Sequence, residues 1–527
     1  MKEPCILPPN LLIGPEVFLC HYASFSGCAY LIVVICPILF TIFLRLWQEK
    51  SENNFAVEKI SQQSAMNKTV LLLSACLVAS IIPANARRNN KDVEKTVTTT
   101  TTVVRGDTTI TTTTVTSTPA EQESQPGKRS FKSRLSLGGY GEAVMTRNFY
   151  SDNVNRYSKA DDYKDAKGHN RFDLPHAVIM LGFDFGRGWT FGSEIEFEHG
   201  GTESAVEMEA EETGEWEKEI ERGGEVALEQ LWINKEFRPW IQVRAGHMVV
   251  PVGSLNSNHL PNEFFTVYRP EGEATILPST WHQTGISVWG NYKWMRYEVM
   301  ALPALNSCFF SKDAWVHYGA TSPFEFTPAN NIAVAARLDF FPVQGLRLSA
   351  SGYFGNSFNN TLQSDFNGKY KDVKGAVTIG SFDMEYKGYG LIVRGNATYG
   401  HLGDADKISD YNRLQMKTSP YKRTLVGKEA YSYGIEAGYN ILRPFSSIKY
   451  DKLYVFGRYE AYDAYKPANG NYRDYPWTEI KRMAVGLNYM PMKQIVIKAE
   501  YSKRFLKSQY NDEPSISLGV TYTGDFL

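Results

Sequence analysis

The chain has 527 residues, with 56 Lys and Arg against 57 Asp and Glu and a formal net charge of -1. That balance offers no field for nucleic acid, and 21% charged residues with a mean hydropathy of -0.33 exclude a bundle of transmembrane helices. Neither value counts against a membrane β-barrel, in which half of every strand faces water.

The first elements in chain order are targeting features rather than fold. Residues 29–47 are nearly all apolar and long enough to cross a bilayer as a helix. Met66-Asn67-Lys68, the apolar run Thr69 to Pro83 and Ala84-Asn85-Ala86 reproduce the basic start, apolar core and small-residue cleavage site of a signal peptide, residues 66–86. Two readings follow. Either translation starts at Met66 and residues 1–65 are a mis-assigned extension, or residues 29–47 are a real inner-membrane anchor. An anchor would tether a barrel to the wrong membrane, which favours Met66 and a mature chain from near Arg87. The cysteines agree: Cys5, Cys20, Cys28, Cys36 and Cys76 precede Ala86, so Cys308 alone cannot form an internal disulfide. Residues 87–132 are threonine-rich and nearly free of aromatics, as in Thr98-Thr99-Thr100-Thr101-Thr102, and read as a disordered periplasmic spacer.

From residue 133 to 527 the pattern changes to short segments of period two. In Trp189-Thr190-Phe191-Gly192-Ser193-Glu194-Ile195-Glu196-Phe197-Glu198 the odd positions are apolar except Ser193. Alternate residues fall on opposite faces of a strand, and no amphipathic helices are available to cover the apolar face. Lipid would cover it in a closed barrel, with water inside. Sixteen such runs are predicted, from Leu135–Met145 through Trp189–His199 and Ala227–Phe237 to Ile516–Tyr522. Short turns, such as 186–188, 238–240 and 293–294, alternate with long connections, such as 146–176, 200–226 and 250–283. This is the order a meander barrel with periplasmic turns and external loops requires. Aromatics at strand ends, among them Phe185, Phe237, Tyr292, Tyr399, Tyr439, Tyr489, Tyr501 and Tyr522, fit a headgroup girdle. The predicted class is all-β, a 16-stranded antiparallel transmembrane barrel in a bacterial outer membrane.

Parity assigns the water-facing side chains. On the first four strands they include Glu142, Asp184, Glu194, Glu196, Glu198 and Glu236, with no base. From strand five they include Arg244, Arg296, Arg337, Arg347, Arg394, Arg458, Arg482 and Lys498, interleaved with Glu298, Asp339, Asp383, Glu385, Glu436, Glu460 and Glu500. A charge on the lipid face would cost about 2–4 kcal/mol near mid-bilayer, which explains the shared parity. Trp232, Trp289, Tyr353 and Tyr454 share the lumen side. Nine glutamates between Glu203 and Glu221 read as a solvated mobile loop, with a divalent-cation site as the alternative. No two histidines show metal-ligand spacing, and no phosphate loop or nucleophile turn occurs. The expectation is no enzyme, no catalytic residue, no cofactor and no metal.

Arg269-Pro270-Glu271-Gly272-Glu273, Leu277-Pro278-Ser279-Thr280-Trp281-His282-Gln283-Thr284-Gly285, Gln230-Leu231-Trp232-Ile233, and Ala245-Gly246-His247 with Pro251-Val252-Gly253 resemble Bacteroidetes porins of the phosphate-selective porin O and P family. The resemblance covers roughly residues 133–527. It departs at the C-terminus, where Leu527 follows Phe526 instead of a final aromatic. The resemblance implies a trimer whose third loop, 250–283, folds into the pore, making Arg269, Glu271, Glu273, Trp281 and His282 its constriction residues. Glu271 and Glu273 are expected to face Arg244, Arg296, Arg337 and Arg347. The expected activity is passive diffusion of small polar solutes or anions, phosphate being one candidate. An oligosaccharide channel, or an enzyme or adhesin acting through the loops, is the alternative. Expected partners are outer-membrane lipids and lipopolysaccharide, the barrel assembly machinery and two further copies of the chain.

Overall fold

The computed structural model describes residues 98–105, 108–115, 134–210, 216–322, 326–358, 360, 370–415, 424–445, 451–507 and 512–527. The apolar segment 29–47, the signal-peptide motif 66–86 and most of the segment 87–132 lie outside them. Within that last segment, β1 (Thr98–Arg105) and β2 (Thr108–Val115) pair antiparallel as a hairpin. Over these residues the expected spacer without secondary structure is corrected. Threonine and valine favour extended backbone, and each half of the run is the partner of the other.

The remaining strands are β3 (Leu135–Asn148), β4 (Asn170–Asp173), β5 (His176–Gly186), β6 (Trp189–Ala210), β7 (Trp216–Arg238) and β8 (Ile241–Val249). Then come β9 (His282–Tyr292), β10 (Met295–Pro303), β11 (Ile332–Val343), β12 (Leu346–Asn356), β13 (Ala376–Gly388) and β14 (Leu391–Leu402). The series ends with β15 (Glu429–Asn440), β16 (Lys452–Lys466), β17 (Glu479–Met492), β18 (Ile495–Leu506) and β19 (Glu513–Asp525). Apart from the short β4, which prolongs the sheet beside one end of β3, they form a closed barrel of 16 antiparallel strands. Closure comes from β19 returning to β3, in register from Ser515↔Asn148 to Asp525↔Gly138.

The period of two becomes two surfaces. Ile233, Val485 and Leu518 are 50%, 56% and 51% exposed, whereas Glu194, Arg337 and Lys498 are 2%, 6% and 0% exposed. The apolar set therefore faces outward, where lipid replaces the covering layer of a soluble sheet. Phe185, Trp189, Phe237, Trp240, Tyr292, Trp294 and Tyr439 are exposed around the short-turn end of the wall. The turns themselves need unusual backbone. Gly186, Arg187 and Gly188 have φ of 83°, 57° and 77°, and a Cβ on Gly188 would lie 2.5 Å from the Glu236 carbonyl oxygen.

In the second long connection, residues 203–210 and 216–223 are strand, and residues 211–215 lie outside the described ones. Past an irregularity between Glu198 and Glu203, β6 and β7 keep pairing from Glu203↔Gly223 to Ala210↔Trp216, so the described part of the acidic run lies on strands. Backbone pairing wins because an antiparallel ladder, once registered by the barrel below, continues at little extra entropic cost. Four other long connections, 250–281, 304–331, 357–375 and 403–428, contribute to one apolar core inside the barrel. It includes Val250, Ile276, Trp281, Leu305, Phe310, Trp315, Phe358, Tyr370, Ile408 and Val426, packed on inward wall residues such as Ala333 and Ile379. Trp315 donates its indole N–H to the Gly427 carbonyl at 3.0 Å. Its ring lies where a Cβ on Gly400 would be, 1.9 Å away, so the wall accepts it only at glycine.

Candidate functional site: the third loop inside the barrel

The third long loop leaves β8 after Val249 and forms a short helix at Ser254–Ser257. It then runs along the inner wall of β15 to β18. Each step is held by a wall charge on loop backbone. Lys498 Nζ donates to the carbonyls of Phe264 and Thr266 at 3.2 and 2.8 Å. Val267 N–H donates to Glu500 Oε2 at 2.8 Å. Phe265 packs on Tyr454 and Phe456, with ring centroids 5.3 and 5.4 Å away. A chain with few regular hydrogen bonds of its own is thus satisfied by side chains of the barrel.

The helix Glu271–Ile276 follows, with Pro270 fixing the backbone before it. Its first amides, of Glu271 and Gly272, donate to Glu460 at 3.4 and 3.2 Å. The Glu271 carboxylate meets Arg482 Nε at 3.0 Å, Arg504 Nε and Nη2 at 2.6 and 2.8 Å, and the Tyr462 hydroxyl at 3.2 Å. Burial alone would raise this carboxyl, but the two guanidinium groups hold it down at about 2. Glu273 behaves oppositely. It accepts from Leu255 N–H at 2.8 Å and Asn396 Nδ2 at 2.9 Å, and burial pushes it up to about 7.

These contacts correct the expected partners. Glu271 faces Arg482 of β17 and Arg504 of β18, not Arg244, Arg296, Arg337 and Arg347. Arg504 escaped the parity reading because it lies beyond the predicted end of that strand. Arg337 and Arg347 do hold the loop, through the Gly253 carbonyl at 2.9 Å and Asn258 Oδ1 at 2.8 Å. Arg244 lies 5.1 Å from the rings of both Trp232 and Trp289, and Arg296 is 3.4 Å from Glu298. Trp281 is fully buried against Tyr353 in the apolar core, and Trp232 belongs to that core as well. His282 opens β9 and its Nδ1 lies 2.6 Å from Nε2 of His247, so it belongs to a histidine pair on the wall rather than to the loop.

Two wall sectors emerge. From β11 to β19, acids and bases alternate in short contacts. Arg337 bridges Asp339 and Asp383 at 2.8 and 2.9 Å, and Arg347 reaches Asp383 at 3.3 Å. Arg394 bridges Glu385 and Glu436 at 2.8 and 2.7 Å, and Arg458 bridges Glu436 and Glu460 at 3.5 and 3.1 Å. Arg482 joins Glu460, Glu500 and Glu271, and Arg504 joins Glu271 to Glu513. On β3 to β7 the inward charges are Glu142, Glu194, Glu196 and Glu229, with His176 at the start of β5. Glu229 was not predicted. A β-bulge opposite Glu194 and Ile195 turns both Glu229 and Gln230 inward, which strict alternation cannot do. Counter-charge comes from the third loop, by His259, 3.8 Å from Glu194, and Arg269, whose Nη1 donates to Thr280 Oγ1 at 2.6 Å.

No family model matches the chain. A curated relative, an uncharacterized protein of Aquifex aeolicus (strain VF5), is 26% identical over 392 residues, covering 72% of this chain and 78% of that one. Among solved structures the chain is similar to OmpF of Salmonella typhi in complex with daunomycin, at 11% identity over 74% of this chain and 97% of that one, TM-score 0.46. It is also similar to an anion-selective porin from Comamonas acidovorans, at 11% identity over 74% and 99%, TM-score 0.40. At these identities the likeness concerns the fold. The closed barrel, its apolar outer face and its aromatic strand ends make the chain a transmembrane barrel of the bacterial outer membrane.

Proposed function

We propose that the protein is an outer-membrane porin through which small polar solutes diffuse, with selectivity set where the third loop crosses the lumen. The observation that carries this reading is the clasp of Glu271 by Arg482 and Arg504. It holds an inward-folded loop against a wall of fixed charges. Such an arrangement lowers no chemical barrier. It narrows a hydrated path and imposes a field across it that sorts solutes by charge and dipole. Arg244, Arg296, Arg337, Arg347, Arg394 and Arg458, with Glu298 among them, and Glu194 and Glu196 on the acid-rich strands are the wall residues assigned to that field. A weak anion preference, phosphate included, and assembly as a homotrimer rest on the motif resemblance to the phosphate-selective porin O and P family.

The test is conductance of the purified full chain in planar bilayers. Protein that migrates heat-modifiably on gels is expected to give ohmic channels, because a closed hydrogen-bonded barrel resists detergent until boiled. Folded protein without conductance at any voltage would remove the reading. One observation favours a substrate-specific oligosaccharide channel as second reading. A cavity of about 320 Å³ near the short-turn end is lined by Phe264, Phe265, Tyr389 and Tyr454 with Asn262 and Asn488, a mix of ring faces and amides suited to sugars. Current block by oligosaccharides at micromolar concentration would favour it, and unhindered sugar flux in liposome swelling would favour general diffusion.

A further inference from the structure

The acid sector holds groups that the clasp does not use. His176 is paired across the sheet with Glu198 of β6, and the register that sets Gly141 against Ala177 brings Glu142 of β3 to its other side. His176 Nδ1 lies 2.6 Å from Glu196 Oε1, and its Nε2 lies 3.7 Å from Glu142 Oε1. The second separation is too long for a hydrogen bond, so Glu142 stands beside the imidazole without closing on it. Ligand atoms of His176, Glu196 and Glu198 all fall within 4.8 Å of one another. Glu142 is 6% exposed, and its Oε2 has no hydrogen-bond partner in the structure. Nearby, Glu229 is 1% exposed and its carboxyl lies against that of Glu196. Arg269 and Lys498 supply two positive charges there, fewer than the carboxylates gathered around the one imidazole.

We propose that His176, Glu196 and Glu198 form a binding site for a divalent transition-metal ion on the lumen wall, with the Glu142 carboxylate beside it. The donor set decides the class. Imidazole nitrogen with carboxylate oxygen suits Zn²⁺ and its first-row neighbours, whereas Ca²⁺ and Mg²⁺ take oxygen donors almost alone. Ligand spacing along the chain concealed the site, because His176 and Glu196 are 20 positions apart and only the strand register joins them. An ion here would neutralise part of the acid wall, so occupancy would move the channel toward anions.

The probe is Zn²⁺ with the full chain in detergent, measured as metal per protein after gel filtration against a chelating dye. About one high-affinity Zn²⁺ per chain is expected. H176A and E196Q should each weaken binding at least tenfold, while the H247A/H282A double variant should bind as the parent does. Heat-modifiable migration of each variant controls for folding, and E198Q replaces any variant that fails it. Absence of stoichiometric Zn²⁺, or loss of binding in H247A/H282A with retention in H176A, would overturn the proposal. Bound protons instead of metal would give the first of these results. The effect on selectivity rests on the channel reading and is tested separately: micromolar Zn²⁺ should shift the reversal potential of the parent toward anions and leave H176A unmoved. Binding without that shift would overturn the effect on selectivity and leave both the metal site and the channel reading standing.

Discussion

The two wall sectors solve the same problem, charge inside a barrel, in different ways. Between β11 and β19 carboxylates and guanidinium groups alternate, so each fixed charge supplies its neighbour's counter-ion and the surplus reaches into the loop. Between β3 and β7 the wall supplies carboxylates and the one imidazole of His176, and Arg269 and His259 come from the third loop. The lesson concerns what each sector can spare. A paired lattice is rigid and can clasp a loop, because both partners are already desolvated against each other. An acid surplus retains attraction for a mobile cation.

The largest expected effects set the sectors directly against each other. Arg482→Gln would leave Glu271, Glu460 and Glu500 sharing fewer cations in a buried place, costing about 3–5 kcal/mol. It should lower the temperature of heat-modified migration and raise conductance as the loop loosens. Glu229→Gln removes a charge from the surplus and should leave stability unchanged or raise it. If both variants destabilise alike, the contrast between sectors is wrong. Trp315→Ala tests the apolar core beside the lattice. Emptying that fully buried site should cost about 3–5 kcal/mol without changing ion selectivity.

The loop acids give a pH signature of intermediate size. Glu271 is held near 2, below its ordinary value of 4.5, so its contribution to stability is present above about pH 4.5 and lost as pH falls toward 2. Glu273 is raised to about 7, so the folded state binds its proton more tightly, and its contribution declines as pH rises from about 4.5 through 7. The thermal transition should therefore be highest near pH 4.5, falling toward pH 2 on one side and through pH 7 on the other. E271Q should flatten the acid limb and E273Q the alkaline limb. A transition with no pH dependence in either limb would refute the placement of both side chains.

Selectivity should shift by smaller amounts, in opposite directions for the two sectors. In a salt gradient, Arg296→Gln with Arg337→Gln should move the reversal potential toward cations, and Glu194→Gln with Glu196→Gln toward anions. Both shifts should shrink near 1 M salt, where the screening length falls to about 3 Å. The acid-sector pair should give the larger shift, because its charges are less compensated. The smallest effect belongs to the extension of β6 and β7. Deleting residues 201–223 should leave the thermal transition nearly unmoved, since β6 and β7 remain paired from Trp189↔Lys235 to Glu198↔Glu225.

Most of the barrel was legible because strand side chains alternate and a lipid-facing charge is costly. Phe191, Ile195 and Phe197 announced the outer face, and Arg337, Glu436 and Lys498 the inner, from sequence alone. The alternation of short turns with long connections fixed the meander, since each turn must fit two strands of known separation. Reading by parity failed where the ladder slips, at the bulge that turns Glu229 inward, and where it outlasts the hydrophobic signal, at Arg504 and in the extension of β6 and β7. The partners of Glu271 were out of reach, because a loop of some thirty residues can touch any wall and the sequence holds arginines on several strands. Only the closed barrel decides between them. It brings Lys498, Arg482 and Arg504 of late strands against a loop that follows β8, and His176 between Glu142 and Glu198. A periodic backbone writes its faces into adjacent residues, whereas contacts across a lumen depend on curvature and register accumulated over the whole sheet.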